Sequence, residues 1–287
     1  DNHLREVRIV LLDKNYGYAE GYNKALQHID SEYTILLNSD VEVSEGWLKP
    51  MLTYMDNHLD VVACQPKILS WKNKNQFEYA GAAGGFIDKL CYPYCRGRIL
   101  GTVEQDHGQY DQIIDVFWAS GACLCVRTHS YIEIGGLDAE FFAHMEEIDL
   151  CWRLLNRGHR IVCIPQSRVY HLGGGSLNYE NPKKTFLNFR NSLLMIYKNM
   201  PSKRLTTTLV ARFFLDLAAS LHYLVCGKVK NAYAVLKAWY AYLNMRKQFT
   251  HKRQHNLSMT TCAYPKTMSK RIILFDYYFR SKRTWSK

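Results

Sequence analysis

Residues 7–40 read VRIVLLDKNYGYAEGYNKALQHIDSEYTILLNSD, and this stretch indicates the fold class. Residues 7–12 and Tyr33–Leu37 are continuous apolar runs rich in β-branched side chains, which are typical of strands buried on both faces. The glycine-containing residues 15–29 between them are predicted to form a helix. The order strand, helix, strand therefore predicts a parallel pair within an α/β domain.

Further along the chain, the same alternation continues. Apolar runs predict strands at residues 61–64, 118–126 and 161–164, and a helix is predicted at residues 147–157, closed by Gly158. In α/β sheets of this kind, ligands bind at the carboxyl ends of the strands. We therefore expect the chemistry of this chain to lie in the segments that follow its strands.

The 287-residue chain is 47% apolar and 22% charged, which excludes disordered, collagen-like and small disulfide-stapled proteins. Its charge is divided unevenly. Residues 1–182 carry 16 Lys and Arg against 24 Asp and Glu, a net charge of −8, whereas residues 183–287 carry 21 against 2, a net charge of +19. This division predicts an acidic catalytic domain over residues 1–182 and a basic helical region, an appendage that seeks anions, over residues 183–287.

The basic region contains helical patterns at residues 184–198, 205–226 and 233–243. The second pattern is mostly apolar but includes Arg212, Asp216 and His222, which would be costly at the centre of a bilayer. We therefore expect an amphipathic helix that lies on a membrane surface, with Arg212 and Asp216 paired one turn apart. Basic and aromatic residues after Arg246 favour an anionic lipid surface. The alternative is that these helices pack on the catalytic domain and their charges are solvated.

Two acidic segments are candidates for chemistry. Asn38 and Asp40 follow the apolar run Tyr33–Leu37, where oxygen ligands suit a divalent cation and a diphosphate; Asp40 alone could equally cap a turn. Glu146, Glu147 and Asp149 crowd the start of a helix, where one carboxylate can accept a proton while the others orient ligands or cap the helix. The alternative for this second segment is a structural acidic turn with an ion pair from Asp149 to Arg153.

Two glycine-containing segments are candidates for anion binding. His171 precedes three glycines, residues 173–175, so it could ligate a metal while nearby backbone amides approach phosphate oxygens. A lone histidine, however, is more often structural. Residues 15–23 form a turn into a helix that lacks a dinucleotide fingerprint, but such a helix start can bind anions in general.

In this order, the motifs NYGYAEGYNKAL, LLNSDVEVSEGWL, WASGACLCVR, GGLDAEFFAHMEEIDLCWRLLNRGHRI, VYHLGGGS and KTFLNFRNSLLMIYKNMP resemble a family 2 glycosyltransferase of the GT-A fold, in particular the rhamnosyltransferase-like branch. The resemblance covers residues 1–201. It implies a Rossmann-related mixed sheet flanked by helices, and inverting transfer of a sugar from a nucleoside diphosphate to an acceptor hydroxyl of a lipid-linked or cell-surface glycan. It also implies a divalent cation, Mg²⁺ or Mn²⁺.

The resemblance assigns roles to individual residues. Glu147 stands at the position of the catalytic base, where the family has Asp, so Glu146 and Asp149 stay open as alternatives. Asp40 and His171 would hold the metal. The residues implied to bind the donor are Asp1, Asn15, Gly17, Gly21, Asn23, Asn38 and Asp40. Candidates to line the acceptor side are Trp118, Gly121 and Trp152.

Family members normally begin with a strand, a helix and a second strand before the position of Asp1. Part of the nucleotide pocket is thus expected to be missing, and we expect this chain to lack full activity or to have an exposed sheet edge. The expected location is the cytoplasmic face of the membrane, as a peripheral protein. The competing hypotheses are a non-catalytic sugar-nucleotide or glycan-binding relative, and a nucleic-acid binder, which the absence of any recognition motif disfavours.

Overall fold

The computed structural model describes residues 8–173 and 181–285. Its strands are β1 (Tyr33–Leu37), β2 (Val41–Val43), β3 (Val61–Ser70), β4 (Gly85–Ile87), β5 (Pro93–Cys95), β6 (Arg98–Ile99), β7 (Thr102–Val103), β8 (Ile114–Asp115), β9 (Cys123–Arg127) and β10 (Arg160–His171). Its helices are α1 (Gly17–Leu26), α2 (Leu48–Asn57), α3 (Thr128–Glu133), α4 (Glu146–Asn156), α5 (Pro182–Asn199), α6 (Ser202–Val225), α7 (Val229–Met245), α8 (Phe249–Ser258) and α9 (Ile273–Phe279).

The central sheet is mixed and has the strand order β1-β9-β3-β10-β2, with β8 paired to β10. β3 and β10 are parallel, and β9 runs antiparallel to both β1 and β3. β1, β3 and β10 therefore point the same way, and their carboxyl ends lie at one edge of the sheet. The prediction of an α/β domain with a mixed sheet, followed by helices, is confirmed.

Helices pack on the sheet, whose inner strands β3 and β10 are largely buried. In β3, every residue from Val61 to Leu69 is buried, as expected for a strand covered on both faces. α2 packs on β3 and β10, placing Met51 and Met55 against Val61. α4 packs on β10 and on α5. These contacts fix the start of α4 relative to the sheet.

One predicted strand is wrong. Residues 8–12 pair with no other strand among the described residues, and Ile9 and Leu11 are 79% and 89% exposed. An apolar run becomes a strand only where a neighbouring strand satisfies its backbone groups. The predicted parallel partner of residues 7–12 is β1, but β1 pairs antiparallel with β9. The predicted strand at residues 118–126 also begins late, at Cys123, because residues 118–122 form a loop.

A second, four-stranded sheet, β4-β5-β6-β7, lies beside the central one, and the end of the basic region packs against it. Trp285 stacks on Phe86 with a ring-centroid distance of 4.5 Å, and the Ile273 amide donates to Asp88 at 2.9 Å. Tyr277 hydrogen-bonds Thr102. The aromatic residues after Arg246 are therefore used partly for packing, as in the alternative to the membrane hypothesis.

α6 carries its charges on the inside and its apolar side chains on the outside. Arg212 and Asp216 form the predicted i, i+4 pair, but both are buried, with Nε and Oδ1 3.4 Å apart. The exposed large side chains of α6 are Val210, Phe213, Phe214, Leu217, Leu221, Leu224 and Val225. By length and composition, α6 is the one helix in residues 8–173 and 181–285 that could cross a membrane.

Candidate active site

The carboxyl ends of β1 and β10 bring Asp40 and His171 together. Nε2 of His171 lies 3.2 Å from Oδ1 of Asp40, and the Leu172 amide donates to the Asp40 carbonyl at 3.0 Å. On the other side of the ring, Nδ1 of His171 lies 3.5 Å from Oε1 of the buried Glu78. Burial lowers the pKa of His171, but the carboxylates of Glu78 and Asp40 outweigh burial and raise it.

The described residues contain no preformed cluster of three or more His, Cys, Asp or Glu side chains arranged to hold a metal ion. The donors of Asp40 and His171 nevertheless fit a cation that shares its coordination with a diphosphate. Mg²⁺ commonly takes one or two carboxylates, several waters and substrate phosphates rather than an all-protein cage. Nε2 of His171 faces Asp40 while Nδ1 faces the Glu78 carboxylate, so a cation on the Asp40 side would leave a carboxylate behind the ring.

The acidic segment lies at the first turn of α4. Glu146 is buried and Glu147 is half-buried, and each has one carboxylate oxygen that is buried without a hydrogen-bond partner. Burial raises the pKa of Glu147 to about 6, although the backbone amides at the start of α4 counteract this shift. Burial and the charge of Glu147 raise the pKa of Glu146 well above its usual value. Burial therefore favours the protonated form of both carboxyls, and the pKa of Glu146 is raised further than that of Glu147.

Asp149, the third acid, is held inside the protein. Its Oδ2 accepts from Arg153 Nε at 2.9 Å and from Lys198 Nζ at 2.8 Å, and its Oδ1 accepts from Asn199 at 2.7 Å. The side chain of Asp149 is fully buried. Both oxygens are thus used to bind α5, which argues against Asp149 as a base and agrees with the structural pair proposed from the sequence.

The segment before α4 has an unusual backbone. Phe142, His144 and Met145 all have positive φ, at 64°, 71° and 73°, a region that L-residues seldom adopt. Asn191 of α5 holds this segment by donating to three of its carbonyls, those of residues 141, 143 and 144, at 2.7–2.9 Å. Such strain persists only where the surroundings enforce it, and it concentrates at functional sites.

Tyr18 joins the acids to the strand edge. Its backbone amide donates to the Phe142 carbonyl at 3.1 Å, and its hydroxyl donates to the Gly121 carbonyl at 2.6 Å. Burial is the main cause of its raised pKa, and the charges of Tyr22, Glu146 and Glu147 add to it. The adjacent Ala122 carbonyl accepts a hydrogen bond from the backbone N–H of Asn38 at 3.0 Å. A chain of contacts thus runs from Asn38 to the start of α4.

Lys184, at the start of α5, provides a second connection. The charge of Lys184 acts together with burial to lower the pKa of His144 to about 4. Burial lowers the pKa of Lys184 itself, and the charge of Glu78 offsets only part of this shift. Lys184 therefore interacts both with the segment before α4 and with the carboxylate beside His171. The two groups of candidate residues lie on the same side of the molecule.

The start of α1 is built around backbone geometry. Asn15 Oδ1 accepts from the Gly17 amide at 2.8 Å, and Gly17 has φ of +78°. A Cβ at Gly17 would lie 2.7 Å from the Phe142 ring, whereas one at Gly21 would meet nothing within 4 Å. Asn23 is used within the protein: Tyr131 and the Leu137 backbone occupy its amide group. Asp1, Gly174 and Gly175 lie outside the described residues, and the donor-binding roles at this end stay predictions.

The three residues suggested for the acceptor side have different positions. Trp152 is fully buried against Phe117, and Trp118 is 3% exposed and donates to the Phe86 carbonyl at 2.9 Å. Both indoles belong to the core, which corrects their suggested role. Trp118 precedes a strand and Trp152 lies within a helix, and packing of these apolar segments buries both side chains. Gly121 makes room for Tyr18, since a Cβ there would lie 2.7 Å from the Tyr18 hydroxyl.

Sequence reasoning missed Glu78, Tyr18 and Asn191. Glu78 lies in an irregular connection after β3 with no motif around it, so its approach to His171 depends on the fold. Tyr18 falls within the glycine-containing segment, and that segment was the available signal. Asn191 is a buried polar residue on an otherwise apolar helix face, a pattern that indicates a specific hydrogen-bonding role.

Comparison with known proteins finds similar sequences among glycosyltransferases. Residues 2–104 match the family model described as glycosyl transferase family 2. The chain is 22% identical over 186 residues to the low-salt glycan biosynthesis hexosyltransferase Agl10 of Haloferax volcanii, covering 63% of this chain and 57% of that protein. It is 41% identical over 56 residues to the N-acetylglucosaminyl-diphospho-decaprenol L-rhamnosyltransferase of Mycobacterium tuberculosis, covering 20% and 18% of the two chains.

Among solved structures, the chain superposes on the mannosyltransferase PcManGT from Pyrobaculum calidifontis in complex with GDP-Man and Mn²⁺. The TM-score is 0.43 and the identity 12%, covering 86% of this chain and 66% of that one. The chain spans a little more than half the length of Agl10 and a smaller part of the rhamnosyltransferase.

Proposed function

We propose that the protein, whose residues 2–104 match the model of glycosyl transferase family 2, transfers a sugar from a nucleoside diphosphate to an acceptor hydroxyl, with inversion at the anomeric carbon. The observation that carries this proposal is the pair of carboxylates at the start of α4, one buried and one half-buried, each with one oxygen that lacks a hydrogen-bond partner. A half-buried carboxylate with a pKa of about 6 suits a general base.

In this mechanism, Glu147 accepts the proton of the attacking hydroxyl. Burial and the charge of Glu147 raise the pKa of Glu146, so the site favours a single negative charge on the two carboxylates. The unpartnered oxygen of Glu147 is available for the acceptor. The Asn191 contacts hold the segment before α4, and such positioning of a base contributes to rate through orientation.

The donor diphosphate is proposed to lie at the carboxyl ends of β1 and β10. Asp40 and His171 would hold a divalent cation, which when bound neutralises charge on the departing diphosphate. Glu78 orients His171 from the far side of the ring, at 3.5 Å, as carboxylates behind histidine ligands commonly do. Asn38, fixed through its backbone to Ala122, is proposed to contact the donor next to Asp40.

We propose that the acceptor is a lipid-linked glycan and that the enzyme lies on the cytoplasmic face of a membrane. The outer face of α6 and α7 supports this, since it exposes Phe214 and Tyr240 at 63% and 69%, and large exposed apolar patches mark interaction sites. Arg212 donates to the Leu90 carbonyl and Asp216 accepts from Tyr92 and Trp239. Because these contacts fix the middle of α6 to the catalytic domain, we propose that α6 lies on the bilayer and does not cross it.

The test is a panel of sugar nucleotides, measured by thermal stabilisation of the chain with and without Mn²⁺. We expect one nucleotide class to raise the melting temperature in a manner that depends on the cation. Glu147→Gln should keep this binding and lose turnover on a lipid-linked acceptor. Stabilisation without any turnover in the unsubstituted protein would instead favour a sugar-nucleotide-binding relative, and no stabilisation by any nucleotide would refute the proposal.

A further inference from the structure

A groove of about 870 Å³ lies between α5 and α7. Its apolar wall includes Phe142, Phe186, Leu187 and Tyr233. Phe142 belongs to the strained segment before α4, so the groove reaches the proposed base through a segment only a few residues long. At its other end, Tyr233 is 66% exposed and belongs to the apolar outer face of α7.

Four cationic side chains surround this apolar groove: Lys183, Arg190, Lys230 and Lys237. None of the eleven described residues that line it is acidic. Within the described part of the chain, none of the four cations forms a salt bridge with a carboxylate. The charge of Glu140 acts on Arg190, and the three lysines have no such partner among the described residues. Positive charges of this kind around an apolar surface are complementary to an amphiphilic anion.

Three of the four cations lie above aromatic rings. The guanidinium of Arg190 lies 5.4 Å from the centroid of Phe186, and Nζ of Lys237 lies 5.5 Å from the same ring. Nζ of Lys183 lies 5.4 Å from the centroid of Phe142. Cation–π contacts of this kind place the charges at the edge of the apolar wall and limit their freedom.

Arg190 connects the groove to the candidate active site. Its Nη2 donates to the carbonyls of Glu140 and Phe141 at 3.1 and 3.2 Å, and its Nε donates to Asn191 Oδ1 at 2.8 Å. Asn191 in turn holds the segment that leads into α4. A ligand bound to Arg190 and Phe142 therefore lies next to the machinery that positions Glu147.

We propose that this groove binds the phosphate-bearing end of the lipid carrier of the acceptor, with the cations on the phosphate or diphosphate and the hydrocarbon chain along Phe186 and Tyr233. The inference rests on the proposed function and deepens it, because it names the part of the acceptor that the chain recognises. A neutral glycan has no group for the cations, and a free anion does not use the apolar wall. An isoprenoid-type diphosphate uses both.

The probe is farnesyl diphosphate, with pyrophosphate and farnesol as its two halves, titrated calorimetrically into the full chain with a saturating nucleoside diphosphate and Mn²⁺ present. The nucleotide keeps the diphosphate out of the donor site. We expect farnesyl diphosphate to bind at least about tenfold more tightly than either half. Equal binding of pyrophosphate, equal binding of farnesol, or no binding of farnesyl diphosphate would each overturn the inference.

A double variant locates the binding. Lys230→Gln with Lys237→Gln should weaken farnesyl diphosphate about fivefold for each lysine removed, as expected for a cation near an anionic headgroup. Lys247→Gln with Lys266→Gln, two exposed lysines outside the groove, is the matched control and should leave the affinity unchanged. An equal loss in both variants would indicate non-specific attraction and overturn the groove as the site.

Failure of this inference can be told apart from failure of the proposed function. If sugar nucleotides stabilise the protein but farnesyl diphosphate does not bind, the groove inference fails and the transferase proposal stands. If farnesyl diphosphate binds in the groove while no sugar nucleotide stabilises the protein, the transferase proposal fails and the groove remains a lipid-phosphate site. The Lys230 and Lys237 variant should show the same nucleotide-induced shift as the unsubstituted chain.

Discussion

Nε2 of His171 lies 3.2 Å from Oδ1 of Asp40, although 131 positions separate the two residues in the chain. Asp40 lies three residues after the end of β1 and His171 ends β10, and these two strands point the same way in the sheet. The ring is held from behind by Glu78. The resulting arrangement, a carboxylate and an imidazole facing one point, follows from the topology of the sheet and from no local motif.

Asp40→Asn is expected to remove the cation-dependent part of nucleotide binding. The amide keeps the shape of the side chain but loses the charge that a divalent cation requires. The shift in melting temperature produced by a sugar nucleotide with Mn²⁺ should fall to the shift seen without Mn²⁺. Glu42→Gln, at an exposed carboxylate that pairs with Lys74, is the control, and a loss of the same size there would contradict the assignment of Asp40.

Turnover is expected to depend on pH through Glu147, whose pKa is about 6. A base acts in its ionised form, so kcat/KM should be constant above this pKa and fall about tenfold per pH unit well below it. The measurement is a pH–rate profile from about pH 4 to about pH 8, a range chosen to span about two units on either side of this pKa.

Gln variants separate the two glutamates. Glu147→Gln should lower kcat by about 10²- to 10⁴-fold, the usual contribution of a general base. Glu146→Gln should retain most of the turnover and the same acid limb, because burial and the charge of Glu147 raise the pKa of Glu146 and the amide keeps the shape of a protonated carboxyl. If Glu146→Gln is the inactive variant, the roles of the two residues are reversed.

Asp149→Ala is expected to lower the free energy of unfolding by about 3–5 kcal/mol, because it leaves Arg153 buried without its counter-ion and leaves Lys198 with Asp138 alone. Urea denaturation measures this change. Asp60→Ala breaks an exposed pair with Arg160 and should cost about 1 kcal/mol or less. Similar losses in the two variants would show that the buried network does not anchor α5 to α4.

Gly17→Ala and Gly21→Ala form a matched pair on α1. At Gly17, alanine meets the Phe142 ring and must adopt a positive φ, which costs about 1–2 kcal/mol before any steric contribution. At Gly21, nothing lies within 4 Å, so alanine should stabilise the helix by up to about 1 kcal/mol. Thermal melts of both variants test this, and equal effects would contradict the close approach of Gly17 to Phe142.

Phe214→Glu with Leu221→Glu is expected to abolish sedimentation with vesicles that contain anionic phospholipid. The two residues are 63% and 55% exposed on the outer face of α6, and charges there oppose insertion into the interface. Leu59→Glu, at a residue 78% exposed elsewhere on the surface, serves as the control. Retained sedimentation of the double variant would show that α6 is not the membrane-binding face.

The sequence predicted the fold class and most helices and strands because their apolar periodicity directly reflects burial. α4, for example, begins one residue before its predicted start and ends before Gly158, which has φ of +87°. The strand at residues 8–12 failed because pairing, and not propensity, decides whether an apolar run joins a sheet. No pattern within residues 8–12 shows which strand, if any, would pair with them.

The site was predicted less completely, for a related reason. The acids of α4 are adjacent in sequence, so their crowding could be recognised, but their environments could not. Asp149 is bound by Arg153 and Lys198, and Glu147 is left with an unpartnered oxygen. Which way each carboxylate faces depends on α5, a helix that lies more than 30 positions further along the chain.

The buried pair of Arg212 and Asp216 gives α6 the opposite polarity to that of a helix in a water-soluble protein. Removal of this pair should not make α6 more soluble, because the side of α6 that faces solvent already consists of apolar side chains. Preparations made without surfactant should therefore form soluble aggregates through this face, and a mild detergent should disperse them while the catalytic domain stays folded.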